Sequence, residues 1–291
     1  LDNSSSIVVI TDSSAHFPAG ESALLGGIQI VPYQIIMGGR AYREGIDLDA
    51  VEGLRMMATH HYLPTVQPPT TAEYQAVFDR AARQYEAIVV LTASREINHS
   101  WANARAAAQP LLGHCKIDVI DSGTLSTAQA LLVLMAARWV GSGVPFDELV
   151  RRLRGAVERT YSVYYVETTE YLAHNGIMSD SHSILGSMLA IKPFITLENG
   201  RLHVTEKVRT RIQAVERLVE YATEFTDLET GVIVQHRAGH VETTRMLHDR
   251  LTVEFPDRVF PTMVYGVSLA ALIGMDATGL VILERDTLGK D

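Results

Sequence analysis

Short apolar runs of strand length alternate with helically spaced segments through the first half of the chain. Residues 7–11 form one such run, and 28–37 form another that Pro32 interrupts. Residues 87–92 are continuously apolar up to a closing threonine, and 117–120 end at Asp121-Ser122-Gly123. Between them, 47–61, 71–85, 100–112 and 126–140 carry the spacing of helices. Thr70 or Thr71, followed by Glu73, supplies a cap and an early acid for the second of these. A β-α-β-α order predicts a parallel sheet with helices on both faces.

The second half has a looser rhythm. Ser142-Gly143-Val144-Pro145 marks a turn, and 147–160 reads as a helix with Arg151, Arg152 and Arg154 on its outer side. Strand character follows at 162–167, then helical character at 170–174 and 182–188. Glu198-Asn199-Gly200, flanked by 194–197 and 201–205, is a hairpin signal. Residues 209–225 form a long amphipathic helix, and 231–235, 241–251, 259–265 and 280–283 complete an α/β pattern. The expected fold class is α/β in two domains: an N-terminal parallel-sheet α/β/α domain over 1–160 and a second α/β domain over 161–291.

A length of 291 residues exceeds what one core usually serves, which supports that division. The balance of 34 acidic against 25 basic residues, −9 net, argues against nucleic acid or an anionic membrane surface as partner. No basic-then-apolar leader and no membrane-length apolar run occurs, so no membrane insertion is expected. The single cysteine, Cys115, excludes a disulfide within the chain and reads as a buried structural thiol; the expected location is the cytoplasm.

Candidate chemistry gathers at strand exits. Thr11-Asp12-Ser13-Ser14 follows the first strand, and Ser94-Arg95 with Asn98-His99-Ser100 follows the run at 87–92. Hydroxyls and free backbone N–H groups there suit a carboxylate or phosphate, while Asp12, Ser13, Asn98 or Ser100 would serve equally as plain helix caps. Thr65 stands between Pro64 and Pro68-Pro69, on a stiff connector that presents its hydroxyl at low entropic cost. Lys207, Arg209 and Arg211 read as a solvated basic edge. His236 and His240 have the spacing of a helical metal pair, but Gly239 places them in a loop and no third ligand is evident. No dinucleotide, P-loop or hydrolase motif is present. Such groups bind an anion and need not transform it.

In sequence order, Thr11-Asp12-Ser13-Ser14 through Pro18, Val31-Pro32 with Tyr42, Gly45 and Asp47, Thr65 through Thr70, Ser94, and Asp121-Ser122 resemble the DegV family of fatty-acid-binding proteins. Glu170-Tyr171-Leu172, Gly176, Leu185-Gly186, Ile191-Lys192-Pro193 and Lys207-Val208-Arg209-Thr210 continue the likeness. The resemblance implies two α/β domains with a long acyl chain buried between them, and its carboxylate contacts fall on Thr65 and Ser94. Arg95, Ser13 and Asn98 complete the expected head-group site, and Ile28, Ile30, Ile97, Ile184, Met188 and Ile191 the expected apolar wall.

The chain departs from the family pattern at three places. Arg95 replaces a second serine and Asn98-His99-Ser100 a Ser-Gly-Thr; Ile177-Met178 stands where the family has an arginine; and the span Tyr265 to Ala271 lacks a histidine and a Gly-Pro-Gly turn. The expected function is a cytoplasmic carrier of a long-chain fatty acid, not an enzyme, with no metal or other cofactor. In some members of the family the partner is a fatty acid kinase, an expectation that these departures weaken. The alternatives are an enzyme acting on a small phosphorylated or carboxylated metabolite, with Asp12, Asp121 or His99 as acid–base groups, and an interaction module with lipid as structural fill.

Overall fold

The computed structural model describes residues 6–17, 26–178, 191–239 and 241–286. In its first half the strands are β1 (Ile7–Asp12), β2 (Ile28–Val31), β3 (Gln34–Met37), β4 (Arg40–Arg43), β5 (Thr65–Gln67), β6 (Ala87–Thr92) and β7 (Lys116–Asp121). β2, β1, β6 and β7, in that order, form an all-parallel sheet. Along it Val9, Val89 and Leu91 face one side and Val8, Ile10, Ile88 and Val90 the other. Runs that are apolar on both faces require cover on both.

Among the described residues, five α-helices lie among or after these strands: α1 (Ala50–His60), α2 (Thr71–Ala81), α3 (Ser100–Ala108), α4 (Ser126–Gly141) and α5 (Phe146–Val157). α2 and α3 cover one face with Tyr74, Phe78 and Ala104, and α4 and α5 the other with Leu132 and Leu153. Thr70 and Glu73 form a reciprocal capping box at the start of α2, which fixes its first turn. The helical segment expected over 100–112 ends as α-helix at Ala108, and a 3₁₀ turn, Gln109–Leu111, takes over because Pro110 cannot continue the ladder.

The second half contributes β8 (Thr160–Val166), α6 (Glu170–His174), β9 (Lys192–Glu198), β10 (Arg201–Val208), α7 (Arg211–Thr223), β11 (Leu228–Gln235), α8 (Glu242–Glu254), β12 (Thr262–Val264), α9 (Val267–Ile273) and β13 (Ala277–Glu284). Its sheet runs β10-β9-β8-β13-β11-β12, antiparallel except for the β11–β12 pair. α7 and α8 cover one face through Val215, Leu218, Leu247 and Leu251. The opposite face turns toward the first half, where Tyr164, Val166, Ile195, Val232 and Val281 pack with Ile35, Met57, Leu125 and Ala128. α4 touches β1 and β6 of one sheet and β8 and β13 of the other. A helix held between two sheets needs apolar residues all round, not a single stripe. Its first eleven residues are accordingly buried in all but one position, Leu131.

The structure departs from expectation in four respects. Thr65 lies on β5, a strand of a small antiparallel sheet β4-β3-β5, and not on a bare connector. Pro32 divides the run at 28–37 between two sheets, because it offers no N–H to extend either ladder. The span Val267–Ile273 is a helix. Cys115 is only partly buried, its Sγ lying 3.5 Å from the Glu86 and Lys116 carbonyls at the edge of β7. The helix expected over 182–188 falls outside the described residues.

Candidate ligand site between the sheets

In the parallel sheet, chain order reverses between β1 and β6. Ligands of open α/β sheets sit beyond the carboxyl ends of the strands at such a switch point. The loops leaving β1 and β6 meet there, and Asp12 holds them together. Its Oδ2 accepts the Ala93 N–H at 3.0 Å, the Ser100 hydroxyl at 2.6 Å and the Tyr74 hydroxyl at 3.4 Å. Its Oδ1 accepts Ser14 Oγ at 2.6 Å and Gln129 Nε2 at 3.0 Å. Asp12 is fully buried, and this shell of donors replaces its water. The carboxylate is a structural anchor with its lone pairs engaged. Burial, then the Asp12 charge, push the Tyr33 and Tyr74 phenols well above the usual range, so both stay protonated.

Ser94 follows Ala93 and is completely buried. Its N–H is held by the Thr124 carbonyl at 2.8 Å, and its Oγ accepts the Glu96 N–H at 3.2 Å. Among the described residues no group accepts the proton of that hydroxyl. Ala93 belongs to the apolar layer between the sheets, so Ser94 stands at the border of that layer.

The other expected head-group residues are differently placed. Ser13 Oγ donates to Glu44 Oε2 at 2.9 Å and accepts the Tyr33 N–H at 2.8 Å, so its hydroxyl is engaged within the protein. Asn98 accepts the Ser100 N–H at 2.8 Å just before α3, and its amide donates to the Tyr33 hydroxyl at 3.0 Å. Ser13, Tyr33, Asn98, Ser100 and Asp12 thus form one connected network. Arg95 lies outside it: the guanidinium sits 5.5 Å over the Trp101 ring, and Nε is 3.4 Å from Asp121 Oδ2 and 3.6 Å from Glu96 Oε1. Thr65 is exposed, and no hydrogen bond joins it to Ser94. Of the expected apolar wall, Ile97 packs against the layer between the sheets. Ile28 faces the α4–α5 side of the first sheet, Ile30 is 43% exposed, and Ile184 and Met188 lie outside the described residues.

One buried acid was missed from sequence. Glu44, in the loop after β4, forms no ion pair among the described residues; besides Ser13 it accepts the Ser268 N–H at 3.0 Å at the start of α9. Burial raises its pKa to about 7. No pattern in the run Tyr42-Arg43-Glu44-Gly45 marks this acid as buried, because its partners lie far away in sequence. His16 lies near Glu44, since a methyl built on Gly266 would meet both side chains, and burial lowers its pKa.

A cleft of about 1390 Å³ opens between α4 and the β11–β12 edge of the second sheet, above the ~300–1,000 Å³ usual for small-molecule pockets. Leu131, Val232 and Met263 line it and belong to, or pack against, the layer between the sheets. Arg138 and Arg245 stand on its wall. Among the described residues no group of three acidic, histidine or cysteine side chains is placed to hold a metal, and no helix is long and apolar enough to cross a membrane. His240 falls outside the described residues.

Comparison with known proteins agrees with this architecture. A family model described as an uncharacterised protein family, DegV, matches residues 6–285. Protein DegV of Bacillus subtilis is 26% identical over 278 residues, which cover 94% of this chain and 98% of that protein. A crystal structure described as a fatty acid binding DegV family protein of Streptococcus agalactiae superposes with a TM-score of 0.85 at 25% identity, covering 96% of this chain and 99% of that one. A protein of Eubacterium ventriosum described as binding stearic acid shares the fold, with a TM-score of 0.81 at 20% identity over 95% of this chain and 97% of that one.

Proposed function

The chain belongs to the DegV family, and from that premise we propose that it holds a long-chain fatty acid between its two domains as a cytoplasmic carrier. The acyl chain occupies the apolar layer between the sheets, and the carboxylate takes the proton-donating side of Ser94, with Thr65 contributing from the water-facing side. The observation that carries this reading is the Ser94 hydroxyl: buried, at the border of that layer, with a proton that no group among the described residues accepts. A buried donor without a partner costs on the order of 1–3 kcal/mol, which a carboxylate would recover. Burial of each methylene contributes about 0.8 kcal/mol, so a sixteen-carbon chain gains on the order of 10 kcal/mol before the entropy of binding is subtracted.

The reading makes the chain a binding protein without a base of its own. Asp12 is saturated with donors, and Asp121 Oδ1 accepts the N–H groups of Arg95 and Gly123. Transfer of the acid to a kinase is a separate step, and the departures at Arg95, Ile177 and Val267 argue against it. Mass spectrometry of an organic extract of the denatured protein tests the function directly. A C14–C18 acid is expected; lipid-free protein that takes up no added palmitate would overturn the proposal.

A further inference from the structure

The tip of the β9–β10 hairpin belongs to the second sheet but rests on the loop that carries Ser94. Asn199 and Gly200 have φ of 50° and 79°, the paired left-handed residues of a two-residue hairpin turn. Strand pairing runs right up to the tip, with Glu198 opposite Arg201. A methyl group built on Gly200 would overlap Ser94 Oγ and come within 3.4 Å of Glu96 Cγ. Only a residue without a side chain can lie this close, so it is backbone that covers the hydroxyl.

Beside this contact, Arg201 donates to Glu96 Oε2 from Nε at 2.8 Å and from Nη2 at 2.5 Å. The pair joins the hairpin of one domain to the β6 loop of the other. Its arginine side chain is 63% exposed and its glutamate 29%. The hydroxyl is sealed from water, while the ion pair next to it is largely wet, and wet pairs hold weakly.

We propose that the Asn199-Gly200 tip is a door over the Ser94 head-group site and that the Arg201–Glu96 ion pair is its latch. The proposal rests on the reading that Ser94 holds the carboxylate. A carboxylate that reaches the Ser94 proton must pass Gly200, so both entry and exit wait on the tip lifting. The pair re-forms once the ligand is seated, so the latch sets the rate of exchange and leaves the equilibrium nearly unchanged. Ionic strength, which screens a wet pair, acts on the same step.

The test loads the protein with a fluorescent polyene fatty acid and follows its displacement by excess oleate. Arg201→Ala is expected to raise the displacement rate roughly two- to five-fold with affinity held within about twofold, as loss of an exposed pair implies. Arg201→Lys, which keeps a cation at the position, should restore most of the wild-type rate. About 0.5 M salt should speed wild type and leave Arg201→Ala unchanged. An Arg201→Ala rate equal to wild type overturns the latch. If the protein takes up no acid at all, the head-group reading fails, and the door is judged by amide hydrogen exchange over residues 198–202. Protection lost in Arg201→Ala supports it, and unchanged protection overturns it.

Discussion

The Glu44 carboxylate accepts the backbone N–H of Ser268 at 3.0 Å, across 224 positions of sequence. It thereby ties the loop after β4 to the first turn of α9. Burial raises the Glu44 pKa to about 7, above that of an unfolded glutamate. The folded state therefore binds the proton more tightly. This contribution to stability is fully present below the unfolded pKa and is lost as pH rises toward 7. Relative to Glu44→Gln, wild type should lose up to about 3 kcal/mol between pH 4.5 and 7.5. Urea denaturation of both proteins across that range checks it; parallel pH profiles would contradict it.

Ser94→Ala should weaken fatty-acid binding by roughly 1–3 kcal/mol, since it removes a charge-assisted bond in a dry place. Thr65→Ala should cost under about 1 kcal/mol, because that hydroxyl faces water. Isothermal titration with palmitate separates the two.

Asp12→Asn should destabilise the protein by about 3–5 kcal/mol. The substitution turns one acceptor oxygen into a donor that faces hydroxyl and amide donors already aimed at it. Equilibrium denaturation reads the loss, and the Ala93 and Ser100 amides should lose exchange protection with it.

Gly53 lets α1 lie against α9, where a methyl at that position would overlap the Val267 side chain. Gly53→Ala should cost roughly 1–3 kcal/mol by overpacking. A smaller residue at position 267, as in Val267→Ala, should relieve much of that cost in the double variant, which a double-mutant cycle measures.

Much of the first sheet was legible because its strands declare themselves: residues 87–91 are apolar along their length and buried on both faces, and β6 is bounded as read. The hairpin at Asn199-Gly200 was equally plain, since few residue pairs tolerate two positive φ values. The small sheet was not, because β4 is Arg40-Ala41-Tyr42-Arg43, largely exposed, and β5 has only three residues. At the site, sequence placed Ser94 at a strand exit but gave no means to see what surrounds it. Arg95 was expected at the head group and is balanced by Asp121 and Glu96. Ser13 read as either a head-group contact or a helix cap, and it is engaged by Glu44 and Tyr33. Asp121, Glu44 and Tyr33 are all distant in sequence from the residues they engage, and nothing local announces them.

The position of α4 bears on synthesis at the ribosome. A nascent chain that has emerged as far as Val157 already contains every strand of the parallel sheet, yet Leu125, Ala128 and Leu131 still lack their second cover. That cover includes β8 and β13, and β13, which follows all the other described strands in the chain, sits between β8 and β11 in the middle of its sheet. Until β13 is released, the half-built molecule exposes an oily helix, and in that interval chaperones have a surface to grip.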